Sequence, residues 1–282
     1  MTVRRSSLFL GRILRRPSGA LAAAILLAVF LMAILASVIA PQGPWVLGGD
    51  VRLWPGQNPA FPLGTDNFGR DLLAGVLYGA RVSLMVGIGA ASIAASVGVV
   101  VGAVAGYYGG VLDDILMRLT DAVQTIPSFL AAIAIVGVVE PSLTSIIAAV
   151  AIVEWPMIAR LVRSEVLKIK GQDFVAACRI GGTSDLSIIF RQVLPNCMSP
   201  VIVATSLIVG TAILTEAGLA FLGLGDPNAM SWGTIIGSGR STIRSAWYIV
   251  AVPSFAILFT VLALNLMSDA LNDALNPRLN QS

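Results

Sequence analysis

Long apolar segments constrain this chain more than any other feature of its sequence. An uncharged, mostly apolar run of 22 residues spans positions 19–40, and a helix of about 20 such residues crosses the hydrocarbon core of a bilayer. Arginines precede the run, as they do in a cleaved signal peptide, but an apolar core of roughly 7–15 residues is usual there. The run therefore predicts a first transmembrane helix, and a signal peptide is the alternative.

Five more apolar blocks follow, at about 82–106, 119–139, 143–159, 197–215 and 246–267. Charged residues make up only 12% of the chain, against about 25% in soluble domains, and the mean hydropathy is +0.87. Pro127 and Pro156 are expected to kink the third and fourth spans. The pattern predicts an all-α integral membrane protein with six transmembrane helices. Turn-forming residues at 41–80 predict an extramembrane loop between the first two spans.

The distribution of lysines and arginines predicts the orientation in the membrane. With a cytoplasmic N-terminus, thirteen of the 18 basic residues lie on the cytoplasmic side and five on the other, in agreement with the positive-inside rule. Both termini are then cytoplasmic, as is the segment between the fourth and fifth spans. The basic residues flank the spans and are not interleaved with aromatics, which argues against nucleic-acid binding.

Two glycine-containing motifs each have two interpretations. Gly98, Gly102 and Gly106 would form a flat strip on the second span that permits close helix packing, either within this subunit or against a second one. The sequence GTDNFGRD at 64–71 contains aspartates and glycines, but it lacks the ligand spacing of a calcium loop. A structured turn is therefore favoured over a metal site.

Three carboxylates near the spans are candidates for function. Glu154 lies inside the fourth span, where an ionisable group is costly, so it either lines a translocation path or packs at a polar boundary. Glu216 and Asp226 follow at the outer end of the fifth span and in the loop beyond. Both are expected to be solvated or hydrogen-bonded, and Glu216 is kept as a second candidate for the path.

No catalytic motif occurs in the sequence. It has no histidine, no G-x-x-x-x-G-K-[ST] phosphate loop and no G-x-S-x-G nucleophile motif. Without histidine, Cys178 and Cys197 predict neither a zinc site nor a disulfide framework. We therefore expect a chain that is not an enzyme, binds no metal or cofactor and hydrolyses no ATP by itself.

The segment 173–195 differs from the apolar blocks because it is amphipathic. Its second half carries four apolar residues at helical spacing, which are Leu186, Ile189, Phe190 and Val193. Gly181 and Gly182 permit a sharp turn before them, and Thr183 or Ser184 can cap the second helix. The prediction is helix, glycine turn, helix. Because the polar face of this second helix is neutral or acidic, we expect the segment to dock into a groove of another protein rather than to lie on a lipid surface.

This segment resembles the cytoplasmic coupling motif of the permeases of ATP-binding-cassette importers. That motif has E-A-A, three residues, G, nine residues, then an apolar residue, any residue, L and P. The matching residues are Ala177, Arg179, Gly182, Leu194 and Pro195. The departures are Ala176 for Glu, Cys178 for Ala and Gln192 for an apolar residue.

Five further blocks resemble the second permease subunit of dipeptide, oligopeptide and nickel importers, over nearly the whole chain. They are PLGTDNFGRDLLAGVLYGARVSL (62–84), GYYGGVLDDILMRLTD (106–121), WPMIARLVRSEVL (155–167), LTEAGLAFLGLG (214–225) and SWG (231–233). Glu154, just before the third block, stands where a small or polar neutral residue is expected.

The resemblance implies a multi-pass permease of the bacterial inner membrane with the type I importer fold. Its parts would be a cytoplasmic segment 1–18, a first transmembrane helix 19–40, an extracytoplasmic loop 41–80, a five-helix core 81–272 and a cytoplasmic tail 273–282. The implied partners are a homologous second permease, two ATPase subunits that bind ATP and Mg, and an extracytoplasmic substrate-binding protein. The residues implied in ATPase coupling are Asp173, Phe174, Ala176, Ala177, Arg179, Gly182, Asp185, Phe190, Arg191 and Pro195.

Peptides are the favoured solute, and nickel chelates or opines are alternatives handled by permeases of the same general appearance. A self-sufficient secondary carrier is a hypothesis of another class. Such carriers need ion-coupling groups or inverted repeats, and beyond Glu154 the spans offer little of either. A membrane scaffold without a transport role is the third hypothesis.

Overall fold

The structure is a computed structural model that describes residues 16–275, and within this range it is built from helices. The α-helices are α1 Pro17–Ile39, α2 Leu72–Tyr108, α3 Gly110–Gln124, α4 Ser128–Val139, α5 Leu143–Lys170, α6 Asp173–Ile180, α7 Asp185–Ile188, α8 Leu194–Phe221, α9 Trp232–Gly239 and α10 Tyr248–Leu275. A π-helical turn, Ile189–Val193, joins α7 to α8. Isolated bridges in the long loop are the only β-pairing between described residues, which confirms the all-α prediction.

Five helical segments of the described chain are long and apolar enough to cross a membrane. They are α1, α2, α5, the segment Asp185–Phe221 and α10. A sixth is obtained when α3 and α4 count as one bent span. The basic residues before Arg16, and positions 276–282 of the predicted tail, lie outside the described residues.

The second span begins earlier than its apolar block predicts. α2 starts at Leu72 rather than near position 82, so the loop predicted at 41–80 ends at Asp71. Gly75 and Gly79 suggest turns in the sequence, but they lie within the helix and permit close packing of α9. A Cβ atom on Gly79 would lie 2.7 Å from the Trp232 side chain.

The third span is broken rather than kinked. α3 and α4 meet at an angle of 81° across a short break, where a single helix at 119–139 was expected. Pro127 has no N–H to donate, and it disfavours the helical conformation at Ile126. Pro156, in contrast, lies inside α5, which continues to Lys170.

The glycine ladder packs α2 against α5. A Cβ atom on Gly102 would lie 2.3 Å from the Ala159 carbonyl oxygen, and one on Gly98 would lie 2.6 Å from the Cβ atom of Ile158. Such contacts exclude any side chain, so glycine is required for the two backbones to approach this closely. The interpretation as packing within this subunit is confirmed.

The loop before α2 is held by the GTDNFGRD residues. The Asp66 carboxylate accepts hydrogen bonds from the N–H groups of Phe68 and Arg70, at 2.8 and 2.9 Å. The Asp71 carboxylate accepts one from the Leu73 N–H at 2.9 Å and caps α2. Tyr248 donates its hydroxyl to the Thr65 carbonyl at 3.1 Å, which ties the loop to α10. The structured turn predicted here is confirmed.

Candidate functional site

The amphipathic segment forms two short helices beside the C-terminal end of α2. α6 ends at Ile180, and Gly182 adopts a left-handed conformation with φ of 75°, which favours glycine. α7 then begins at Asp185, so the predicted order of helix, glycine turn and helix is confirmed. Ser184 occupies the N-cap position, but its side chain makes no capping hydrogen bond.

The predicted apolar stripe is divided between core and surface. Ile189 and Val193 are buried, whereas Leu186 and Phe190 are 64% and 61% exposed. The π-helical turn that contains Phe190 has a wider repeat than an α-helix, so it changes the faces on which side chains lie. A stripe read with strict α-helical spacing is therefore wrong at this point.

All ten residues that the resemblance implies in ATPase coupling are exposed in this subunit. Phe174 and Phe190 are large apolar members of this set, and the large apolar side chains of Ile180 and Leu186 are exposed in the same segment. We call the exposed residues of 173–195 the coupling surface. Large apolar side chains clustered on the surface of a structured segment are typical of a contact with another protein.

Tyr107 supports the coupling surface from beneath, and the sequence patterns do not reveal this role. Its hydroxyl donates to the Asp185 carboxylate at 2.6 Å and accepts a hydrogen bond from the Arg179 guanidinium at 3.2 Å. The Arg179 guanidinium also lies 5.6 Å from the centre of the Tyr107 ring. Tyr107 thereby connects the end of α2 to both short helices. Its place in the GYYGG block is the one available signal.

Pro195 does not interrupt the helix that leaves the coupling surface. α7, the π-helical turn and α8 form a continuous helical segment, Asp185–Phe221, that is long enough to span the membrane. Pro195 lies in the first turn of α8, directly after the π-helical turn, where its missing N–H needs no α-helical partner. α7 and the membrane-spanning part of α8 are thus parts of one continuous helical segment.

Two pairs of charged residues join α3 to α5 near the same end of the molecule. Arg163 binds both carboxylate oxygens of Asp113, at 2.5 and 2.6 Å, and Arg160 binds Asp121 at 2.6 Å. These residues belong to two blocks of the resemblance, which the fold brings together.

The three candidate carboxylates occupy different environments. Glu154 is half-buried on α5 and lines a cavity beside the break between α3 and α4. Asp226 accepts hydrogen bonds from the N–H groups of Leu143 and Asn228, at 3.0 and 2.8 Å, as expected of a hydrogen-bonded loop residue.

Glu216 is not the solvated or hydrogen-bonded loop residue that the sequence predicts, because it is buried within α8. It is 2% exposed, and its carboxylate lies beside the hydroxyls of Ser83 and Ser231. Its Oε2 atom has no hydrogen-bond partner. Glu216 therefore lies in the core between α2, α8 and α9 and reaches no surface of this subunit.

These features define a multi-pass membrane protein with structured surfaces outside its spans. Residues 98–281 match the family described as the inner membrane component of binding-protein-dependent transport systems, and the chain belongs to this family. Its resemblance to importer permeases is thereby confirmed.

Relatives of this chain extend over most of its length. It is 40% identical over 262 residues to the dipeptide transport system permease protein of Haemophilus influenzae, covering 91% of this chain and 89% of that protein. It is 40% identical over 250 residues to the di/tripeptide transport system permease protein of Pseudomonas aeruginosa, with 86% and 82% covered. The dipeptide transport system permease protein of Escherichia coli is 41% identical over 259 residues, with 90% and 86% covered.

Family membership establishes the setting in which the chain acts. It is a permease subunit of an ATP-binding-cassette importer in the bacterial inner membrane, and it works with an ATPase and a substrate-binding protein.

Proposed function

We propose that this chain carries peptides inward as one of two homologous permeases that enclose a translocation path. The peptide class is supported by the names of relatives that share about 40% identity over most of the chain. The chain itself is proposed to be non-catalytic, with ATP and Mg bound by two ATPase subunits. This division of labour is supported by a sequence that lacks a phosphate-binding loop.

The coupling surface is the observation that carries the proposed mechanism. Phe174, Ile180, Leu186 and Phe190 expose apolar area that this subunit does not cover, and a groove on one ATPase subunit would cover it. Nucleotide-driven motion of that groove would move α7. Because α7 continues into α8, the motion reaches the membrane and changes access to the path.

The proposed orientation places the coupling surface and both termini in the cytoplasm. The end of the molecule that carries the coupling surface also holds Arg163, Lys168, Lys170 and Arg179 on α5 and α6, as the positive-inside rule favours. Glu154 is assigned to the path because it lines a surface cavity. Glu216 is given a packing role instead, because it is buried.

Phe190→Glu tests this function in the complete transporter. The side chain is 61% exposed, so the substitution is expected to leave the subunit folded and inserted while it places a charge in the ATPase contact. Uptake of a labelled dipeptide into proteoliposomes with receptor and ATP should fall at least about tenfold, the effect of roughly 1.4 kcal/mol. Phe190→Leu keeps an apolar contact and should retain most of the uptake.

The outcomes separate the mechanism from the substrate class. Unchanged uptake and unchanged receptor-stimulated ATP hydrolysis in Phe190→Glu would contradict the role of the coupling surface. Wild-type uptake of a nickel chelate or an opine, with none of any peptide, would contradict the peptide class but leave the coupling role intact. Uptake by the purified chain without ATPase subunits would instead indicate a secondary carrier.

A further inference from the structure

The break between α3 and α4 exposes polar backbone within a membrane span. Residues 124–130 are all exposed, and the ends of two helices leave carbonyl and N–H groups without intrahelical partners. The Thr125 hydroxyl donates to one such carbonyl, that of Ala122, at 2.7 Å. Irregular backbone at membrane depth is tolerated only against protein or a water-filled cavity. We therefore expect the break to face protein or water rather than lipid.

Glu154 lies beside this break at the middle depth of its helix. It shares a cavity of about 340 Å³ with Gln124, Pro127 and Ser128. It lies eleven residues after Leu143, where α5 begins, which is about 16 Å along the helix axis. A helix that enters the hydrocarbon core near Leu143 carries Glu154 close to the middle of that core, which is roughly 30 Å thick.

No described residue neutralises the Glu154 carboxylate. Arg160 and Arg163, the nearest basic residues in the sequence, are engaged with Asp121 and Asp113. The remaining ion pairs between described residues join Arg16 to Asp273 and Lys168 to Glu165. A carboxylate without a counterion at this depth is costly, and a cationic ligand would remove that cost.

We propose that Glu154 binds the α-ammonium group of the peptide in transit. The inference rests on the proposed function, because it assigns a contact within the path of that same transporter. Carbonyl groups at the end of α3 supply further acceptors, and N–H groups at the start of α4 can pair with peptide carbonyls. Every unblocked peptide carries an α-ammonium group whatever its side chains, so one carboxylate serves peptides of different sequence.

A photo-crosslinking dipeptide tests this contact without dependence on the receptor's own selectivity. The complete permease–ATPase complex in nanodiscs, with no receptor, is irradiated with a dipeptide that carries a diazirine on its C-terminal residue, in free and N-acetylated forms. Mass spectrometry then measures labelling of residues 123–128 and 153–157. The free form should label this region at least about tenfold more than the acetylated form, the effect of one charge-assisted hydrogen bond.

Variants of the cavity provide matched controls. Glu154→Gln should abolish the preference for the free form, and Glu154→Asp should keep most of it. Met157→Leu, which changes a neutral side chain of the same cavity, should leave the preference unchanged. Because the comparison of free and acetylated peptide is also made in the wild type, it does not depend on the folding of any variant.

Each remaining outcome contradicts the inference or the proposed function separately. Equal labelling by the two forms, or no labelling at the break in a complex that takes up peptide, overturns the contact with Glu154 alone. Loss of the second permease on purification of Glu154→Gln would show that the carboxylate joins the two subunits, which also overturns it. Absence of wild-type uptake for every peptide overturns the proposed function.

Discussion

The two ends of the helix bundle differ in the polar side chains that they bury. We call the end formed by residues 40–71, α9 and the start of α10 the loop end. There, Thr65, Asp66 and Trp232 are buried and hydrogen-bonded to other parts of the same chain. Segment 173–195, in contrast, buries only apolar residues, and its large side chains at the coupling surface are exposed. The loop end exposes apolar side chains as well, including Phe68 and Trp247.

We therefore expect folding of the subunit to complete the buried core of the loop end, and assembly with partner chains to cover the coupling surface. α2 connects the two, since it runs about 55 Å from its cap at Asp71 to Tyr107. Substitutions at the loop end should therefore change the stability of the isolated subunit. Substitutions on the coupling surface should instead change uptake and ATP hydrolysis by the assembled transporter.

Trp232→Ala is expected to have the largest effect on stability. The Trp232 side chain is fully buried, and its indole N–H donates to the Val76 carbonyl at 2.9 Å. Its removal leaves a cavity and abolishes this hydrogen bond, which together cost about 3–5 kcal/mol. Thermal unfolding of the purified subunit in detergent should show a lower Tm and a reduced yield of folded protein.

Trp247→Ala is the matched control for this prediction. Trp247 belongs to the same end but is 54% exposed, and its ring forms a T-shaped pair with that of Trp54. Its Tm should stay close to that of the wild type. Equal losses in both variants would show that burial does not distinguish these side chains, and the description of the loop end as a finished core would be wrong.

Tyr107→Phe is expected to have an intermediate effect on stability, because it removes the link between α2 and the two short helices of the coupling surface. The variant loses the hydroxyl that joins Asp185 and Arg179 but keeps the buried ring. Stability should fall by about 1 kcal/mol, and uptake per ATP hydrolysed should decrease because α6 and α7 are held less firmly. Both quantities are measured on the reconstituted transporter.

Tyr108→Phe and a double-mutant cycle identify the cause. Tyr108 is adjacent but exposed, so the loss of its hydroxyl should have little effect. If the Tyr107 hydroxyl acts through Asp185, then Tyr107→Phe should add little to the effect of Asp185→Ala. Additive losses would contradict the link.

Local patterns predict the parts of this fold that depend on local chemistry. Apolar blocks indicate the spans, the ladder at Gly98, Gly102 and Gly106 indicates close packing, and Gly182 marks the turn before α7. Composition misplaces the start of α2, however, because Gly75 and Gly79 are present for contact with α9. A glycine that accommodates a distant tryptophan cannot be distinguished in sequence from one that forms a turn.

The candidate site was harder to predict because its geometry depends on long-range contacts. The hydrogen bond between Tyr107 and Asp185 joins residues 78 positions apart, and no periodicity reports it. The π-helical turn at Ile189–Val193 separates Phe190 from the buried stripe that α-helical spacing assigns to it. The roles of the coupling residues stay predictions, since they concern partner chains.

Substitutions at the helix caps should have the smallest effect on stability that still distinguishes the two ends of the bundle. Asp71 caps α2 with a hydrogen bond to the Leu73 N–H at 2.9 Å, whereas Ser184 stands at the N-cap of α7 without such a bond. Asp71→Ala should therefore cost about 1 kcal/mol and speed hydrogen exchange at the Leu73 amide. Ser184→Ala should change stability by no more than about 0.5 kcal/mol, as expected away from specific contacts, and leave exchange in α7 unaltered. Equal losses in the two variants would mean that α7, like α2, depends on the side chain at its N-cap, and that helix capping does not distinguish the two ends.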